Sequence, residues 1–297
     1  VVAFYHSDYF LPLPTGHPFP MSKFREAREI LKRELFPLRV EESPVASWED
    51  LALVHTSEYL EAIERGTLDS RALRVLGLPW SEAIFRRSAL EVGGTIAAVA
   101  AALESGLAFN LAGGTHHAFP DKGCGYCVFN DVAVAVRSWQ QKERDLKVWI
   151  LDTDAHQGNG THAIFRDEPH VRTYSIHVGK NYPSQKEAGT MDVPLERWVS
   201  GAEYLSALAE TLKCFGRGTV DLIIWIAGAD LHAEDRFGQM RLSWEDLRKR
   251  DVWMAQWLRS WSVPVVVLYG GGYHAVEGMT ARIHAETVKT VFHEFGG

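Results

Sequence analysis

Cysteine is scarce in this chain. Three thiols in 297 residues, Cys124, Cys127 and Cys214, are too few for a disulfide framework. Cys124-Gly-Tyr-Cys127 has no second pair and no thioredoxin-like surroundings, so it reads as structural and not as a zinc knuckle. No basic, then apolar, then small-residue pattern opens the sequence, which makes a cytoplasmic protein the expectation. An excess of positive charge is missing too: the formal net charge is -7, which argues against nucleic acid as the main partner. The apolar stretch GTIAAVAAALESGLAFNLA is interrupted by Glu104 and Asn110 and reads as a buried helix followed by a strand, so no membrane span is expected. Repeats, low-complexity tracts and Pro/Ser/Gly linkers are also lacking, and a single domain over 1–297 is expected.

What is present suffices for a large core. The composition is 46% hydrophobic and 23% charged with 10 Trp, which excludes disorder. Helix starts are marked by Ser-x-x-acid boxes at Ser47–Asp50, Ser200–Glu203 and Ser243–Asp246, where a hydroxyl can accept from unpaired N–H groups. Between helical stretches lie short apolar runs without alternation, as expected of strands buried on both faces of a parallel sheet. Four of them, LAFNLA (107–112), KVWILD (147–152), DLIIWIA (221–227) and PVVVLY (264–269), run directly into GGTHHAF, TDAHQGNG, GADLHAED and GGGYHA. The expected fold is α/β, a central mainly parallel sheet flanked by helices on both faces. Ligands of such sheets bind outside the carboxyl ends of the strands, so these clusters are expected to share one site instead of forming four independent polar turns.

Asp154 and His156 are two residues apart and, in extended backbone, point to the same side, which suits two ligands of one cation. Asp230, after another strand, is the third candidate. One imidazole and two carboxylates leave a position open on a tetrahedral zinc ion, the pattern of a catalytic site. Such an ion activates water and polarises a carbonyl, and the paired His116 and His117 supply imidazoles for proton transfer. In GGGYH (270–274) the glycines allow the backbone close to a ligand while Tyr273 offers a hydroxyl to a developing oxyanion. The same segment lacks the glycine spacing of a nucleotide loop.

THHAF, GYCVFND, DTDAHQGNGT, AGAD and GGGY, in this order, resemble the histone deacetylase family of the arginase/deacetylase fold. HPFPMSKF and LVHTSEYL also look familial, and HPF, the DRFG after AGAD and the compact length resemble the class IV type and its bacterial relatives. The resemblance implies a zinc-dependent amidohydrolase acting on acylated lysine of a protein or peptide, or on an acylated small amine, with no nucleic acid or membrane partner. It assigns Asp154, His156 and Asp230 to zinc, with Fe(II) able to take the same ligands. It makes His117 the general base and acid, His116 its electrostatic partner, and Tyr273 the residue that polarises the carbonyl. Asp152 would orient His116 and Asn159 would orient His117. A structural potassium ion is implied on Asp152, Ser175 and the backbone carbonyls of Asp154, His156 and Ile176. Gly125, Tyr126, Tyr182, Phe237 and Gly271 would line the acyl-lysine channel.

Some positions depart from the family pattern. Asn159 stands where many relatives have Asp, Tyr126 where Phe is usual, and VLGL (75–78) before Pro79 contains no acidic residue where many deacetylases hold the substrate backbone. That last departure puts peptide recognition in question and leaves the zinc chemistry untouched. A binuclear-manganese ureohydrolase would need a carboxylate where Gly158 stands, and a non-catalytic binding module would have no need of the full set of ligands, histidines and Tyr273. An acetylpolyamine hydrolase often carries a long insertion that is not evident here. His162 receives no role and is left as a surface or packing residue.

Overall fold

A computed structural model describes residues 1–35 and 37–297. Its strands are β1 (Val2–Tyr5), β2 (Arg39–Glu42), β3 (Leu107–Asn110), β4 (Val148–Asp152), β5 (Val171–Val178), β6 (Met191–Leu195), β7 (Leu222–Ala227) and β8 (Val265–Tyr269). They form one sheet in the order β2-β1-β3-β8-β7-β4-β5-β6, and every pairing is parallel. The four strands read from the sequence, β3, β4, β7 and β8, are the four central neighbours of that sheet. Their ends are in register, with Asn110 beside Leu268, Leu268 beside Ile226, and Ile226 beside Asp152. Four loops therefore leave the same edge side by side, which is what makes a shared site geometrically available.

Continuous apolar runs are needed because both faces are covered. In β4, Val148 and Ile150 join one core while Trp149 and Leu151 join the other. The first core is closed by helices Glu82–Ser105 and Asp131–Gln140 through Ala98, Val99, Ala102, Val132 and Val136. The second is covered by helices Lys23–Glu34, Gly201–Phe215, Trp244–Ser260 and Met279–Glu294. Trp149 and Trp225 are fully buried there, each contributing on the order of 3 kcal/mol by area alone. The three Ser-x-x-acid boxes all form reciprocal capping boxes. The stretch read as helix then strand breaks at Gly106, whose φ of 86° ends the helix and lets Leu107 start β3. Among the described residues no helix is long and apolar enough to cross a membrane.

Candidate active site

Buried polar groups on the two cores position the loops. Helix Asp131–Gln140 is capped by Asn130, and its first residue, Asp131, faces the loop that carries the paired histidines. Its carboxylate accepts from the backbone N–H groups of Gly114 (3.1 Å) and Thr115 (2.8 Å) and from the hydroxyls of Thr95 and Thr115 (2.6 Å each). The loop after β7 is braced by Arg250, a fully buried guanidinium that pairs with Asp251 and donates to the carbonyl of Gly228 at 2.6 Å. Neither Asp131 nor Arg250 was singled out from the sequence, since only the tertiary fold brings them to these loops.

Asp154, His156 and Asp230 converge and are buried, their candidate ligand atoms all within 4.8 Å of one another. His156 Nδ1 lies 3.0 Å from Asp154 Oδ1 and 2.9 Å from Asp230 Oδ2. The expectation that extended backbone aligns Asp154 with His156 is corrected. β4 ends at Asp152 and residues 154–156 form a bend, in which Asp154 Oδ1 accepts from the His156 N–H at 3.0 Å. The bend, not strand alternation, aims both side chains at one point. Asp230 Oδ1 accepts from the Ala155 N–H at 2.9 Å, and Asp154 Oδ2 from the Gly271 N–H at 2.5 Å, which leaves one oxygen of each carboxylate directed inward. Gly271 has no room for a side chain: a Cβ there would lie 2.5 Å from Asp230 Oδ2 and 2.7 Å from Asp154 Oδ2.

The charges of this cluster call for a cation. Burial pulls the His156 imidazole down, but its hydrogen bonds to the accepting carboxylates of Asp154 and Asp230 hold it well above its usual range. Burial and the neighbouring Asp154 push Asp230 up to about 7. Two desolvated carboxylates and an imidazole thus hold a positive charge between them. Ligands on a tetrahedral zinc with bonds near 2 Å stand about 3.3 Å apart, close to the spacing of His156 with its two partners. The donor set fits a divalent ion.

His116 and His117 approach from the adjacent loop, ring centroids 4.1 Å apart and Nε2 atoms 3.1 Å apart. His116 Nδ1 is 2.5 Å from Asp152 Oδ2, and His117 Nδ1 is 2.8 Å from Asn159 Oδ1. Burial lowers His116, yet Asp152 and Asp154 outweigh it and lift the imidazole to about 9. His117 is held well below its ordinary value by burial, then by the charges of His116 and His156. One imidazole is kept protonated and its neighbour neutral, so a proton can be held at the first and accepted at the second. Ser175 lies opposite Asp152 in the β4–β5 register, and its hydroxyl is 3.0 Å from His177 Nδ1, while Ile176 is buried beside it.

A channel of about 300 Å³ leads to His117 and His156 between Gly125, Tyr126, Tyr182, Phe237 and Tyr273. The Tyr273 ring is 5.0 Å from Phe237 and 5.8 Å from Tyr126, and its N–H donates to Asp235 Oδ2 at 2.6 Å. Burial holds the Tyr273 hydroxyl well above its usual range, so it keeps its proton. The wall at Gly125-Tyr126 is the tip of a tight hairpin closed by mutual Cys124–Cys127 backbone bonds of 3.1 and 2.9 Å. Both tip residues have positive φ, 54° and 68°, the geometry of a type I′ turn. A Cβ at Gly125 would lie 2.7 Å from the His117 ring and 2.9 Å from Tyr182, so glycine is required there. Cys124 and Cys127 are buried free thiols, and Cys124 donates to the His117 carbonyl at 3.0 Å, a structural position.

Gly271 lies deeper than the other expected channel residues, at an inner space of about 40 Å³ that also meets Phe19, Lys23 and Phe24. Lys23, unassigned from the sequence, is 3% exposed and donates from Nζ to the Gly270 carbonyl at 2.9 Å. Burial lowers its ammonium to about 8 against the pull of Asp154 and Asp230. Its signal was legible: Lys23 heads the buried stripe Lys23, Ala27, Leu31 of its helix, where a lysine is out of place. His162 is not at the surface. It is 2% exposed, its Nδ1 2.7 Å from Thr173 Oγ1 and its Nε2 3.3 Å from Asp192, a packing and hydrogen-bonding position.

Known proteins resemble this chain over most of its length. The family model "Histone deacetylase domain" matches residues 17–291. An uncharacterized protein of Picosynechococcus sp. is 40% identical over 91% of this chain and 91% of its own length. Histone deacetylase 2 of Arabidopsis thaliana is 29% identical over 97% of this chain and 77% of that protein. The acetoin utilization protein AcuC of Staphylococcus aureus is 30% identical over 94% and 79%.

Proposed function

The chain belongs to the histone deacetylase family, and on that premise we propose that it is a zinc-dependent deacylase that hydrolyses the amide between a short acyl group and the ε-amine of lysine. The observation that carries this reading is the convergence of Asp154, His156 and Asp230 with a neutral imidazole and a protonated phenol at the floor of one aromatic channel. Asp154, His156 and Asp230 would hold the metal, which when bound supplies Lewis acidity to water and to the scissile carbonyl.

The aliphatic stem of the lysine lies between Tyr126 and Tyr182, with Phe237 as a further wall and Gly125 leaving it room. His117 takes the proton of the attacking water at its Nε2 and returns it to the leaving amine, since its Nδ1–H is committed to Asn159. His116, held protonated by Asp152, stabilises the charge that develops beside it. The Tyr273 hydroxyl donates to the oxyanion. The inner space beside Gly271 is small, about 40 Å³, which favours an acetyl-sized end over a decanoyl tail. Asp152 and Ser175, facing each other across β4 and β5, with the carbonyls of Asp154, His156 and Ile176, form the candidate potassium site of this reading.

Initial rates of the zinc-loaded protein on acetyl-, butyryl-, decanoyl- and myristoyl-lysine peptides and on acetylated polyamines test the proposal. Acetyl-lysine turnover that falls steeply with chain length is expected. Turnover of none of these substrates favours a binding module, and two manganese ions per chain by metal analysis would favour the ureohydrolase chemistry that Gly158 argues against.

A further inference from the structure

The charge at the channel mouth is opposite to that of the chain. The protein carries a formal net charge of -7, yet the mouth lining includes one permanently charged side chain, Arg74, and no carboxylate among the described residues. Arg74 is exposed and has no ion-pair partner among the described residues. Its backbone is not free to drift. It belongs to helix Ser70–Leu76, whose last carbonyls are bonded to the channel wall: the Gly125 N–H donates to Val75 at 3.2 Å and the Tyr126 N–H to Leu76 at 2.8 Å. The end of the same helix is held from the other side by His17 Nε2, 2.9 Å from the Gly77 carbonyl.

Other charges around the mouth reinforce this sign. Arg236 donates to the carbonyls of Tyr273 (3.0 Å) and Pro18 (3.1 Å), and Lys186 donates to the carbonyl of Asn181 at 2.7 Å, so two further cations stand behind the wall. Asp235, next to the wall residues Phe237 and Tyr273, is buried, and its carboxylate accepts from the N–H groups of Phe237, Gly238 and Tyr273.

We infer that Arg74 is a specificity-determining residue that selects acylated amines bearing a carboxylate near the channel mouth and disfavours acylated polyamines, whose remote end is a cation. This rests on the deacylase reading and decides among its substrates. The carboxylate has two sources, a Glu or Asp beside the acyl-lysine in a peptide, or the free α-carboxylate of acyl-lysine itself. An exposed guanidinium–carboxylate contact is modest and screened by salt, so the expected effect is about three- to five-fold and sits in KM.

The test compares kcat and KM for five probes: an acetyl-lysine peptide with Glu on both sides, its Gln counterpart, free Nε-acetyl-lysine, its α-amide, and N-acetylputrescine. The Glu peptide is expected to show a KM about three- to five-fold below its Gln counterpart at low salt, with the gap closing at 0.5 M NaCl (on the order of a 4 Å screening length). Arg74→Gln should abolish the gap, Arg74→Glu should reverse it and improve N-acetylputrescine, and Arg71→Gln, on the same helix but outside the mouth, should leave it intact. A free acetyl-lysine gap without a peptide gap identifies the α-carboxylate as the source. Equal KM values in the wild type, or a gap that survives Arg74→Gln, overturns the inference while the deacylase reading stands. No turnover of any acyl-lysine by the wild type overturns that reading and this inference with it.

Discussion

His117 presents its Nδ1 to the Oδ1 of Asn159 at 2.8 Å, while its neighbour His116 has a carboxylate, Asp152, at the same ring position. An amide oxygen accepts the Nδ1–H and orients the ring, but adds no charge to stabilise an imidazolium. His117 is accordingly left well below its ordinary value by burial and by the positive charges around it. Asn159→Asp should raise it. A base that must be neutral to accept a proton is then lost at higher pH, so the acidic limb of kcat/KM should move to higher pH by about one unit or more. A pH–rate profile superimposable on the wild type would remove Asn159 from the tuning of His117.

Tyr273→Phe should keep fold and metal, since the ring packs on Phe237, Tyr126 and Phe19 and only the hydroxyl is lost. One oxyanion donor is worth about 2.7–4 kcal/mol, or roughly 10²–10³ in kcat. Single-turnover rates on acetyl-lysine peptide, beside metal content, separate this from loss of the ion. Wild-type turnover would exclude Tyr273 from the chemistry.

Gly271→Ala changes no candidate ligand, yet its Cβ would press on the inward Oδ2 of Asp230 and on the Asp154 Oδ2 that its own N–H holds. Metal affinity should fall by about 10–100-fold, as when groups supporting metal ligands are removed. Asp230→Ala should lose the metal outright. Competition with a chelator measures both, and unchanged affinity in either variant would displace the assigned ligands.

His55 predicts a loss of stability in acid. It is 2% exposed, its Nε2 accepts from the Asn130 N–H at 3.0 Å, and its Nδ1 is 3.1 Å from the Phe119 carbonyl. Burial lowers it to about 4. The folded value lies below that of the unfolded chain, near 6.5, so the protein is penalised for protonation. Its contribution is complete above pH 6.5 and is lost progressively as pH falls from about 6.5 to 4, up to about 3 kcal/mol. Urea midpoints at pH 7 and 4.5 should show this loss, and His55→Gln should flatten the dependence. An equal slope in that variant would assign the acid loss elsewhere, for example to His177, also lowered to about 4 by burial.

The candidate site is largely legible along the chain, because the residue types that can bind metal and move protons are few and sit directly after apolar strands. Asp154, His156, Asp230, His116, His117 and Tyr273 were named from their types and spacing. For Asp154 and His156 the alignment comes from a bend and not from a strand. A two-residue spacing is compatible with both, and only the His156 N–H contact to Asp154 distinguishes them. Lys23 was hidden in a different way: its helix stripe was readable, but its target, the Gly270 carbonyl, is 247 residues away.

By itself, the sequence determined the four central buried strands, the starts of three capped helices and the candidate side chains for the chemistry, because these follow from local patterns of polarity and hydrogen-bonding capacity. Tertiary structure alone decided that β3, β8, β7 and β4 are neighbours, that Asp131 and Arg250 hold the loops of the site, that Gly271 must be bare, and that Arg74 stands at the mouth. Those relations join residues distant in the chain through packing and hydrogen bonds, and no local pattern encodes which partner a buried group will find.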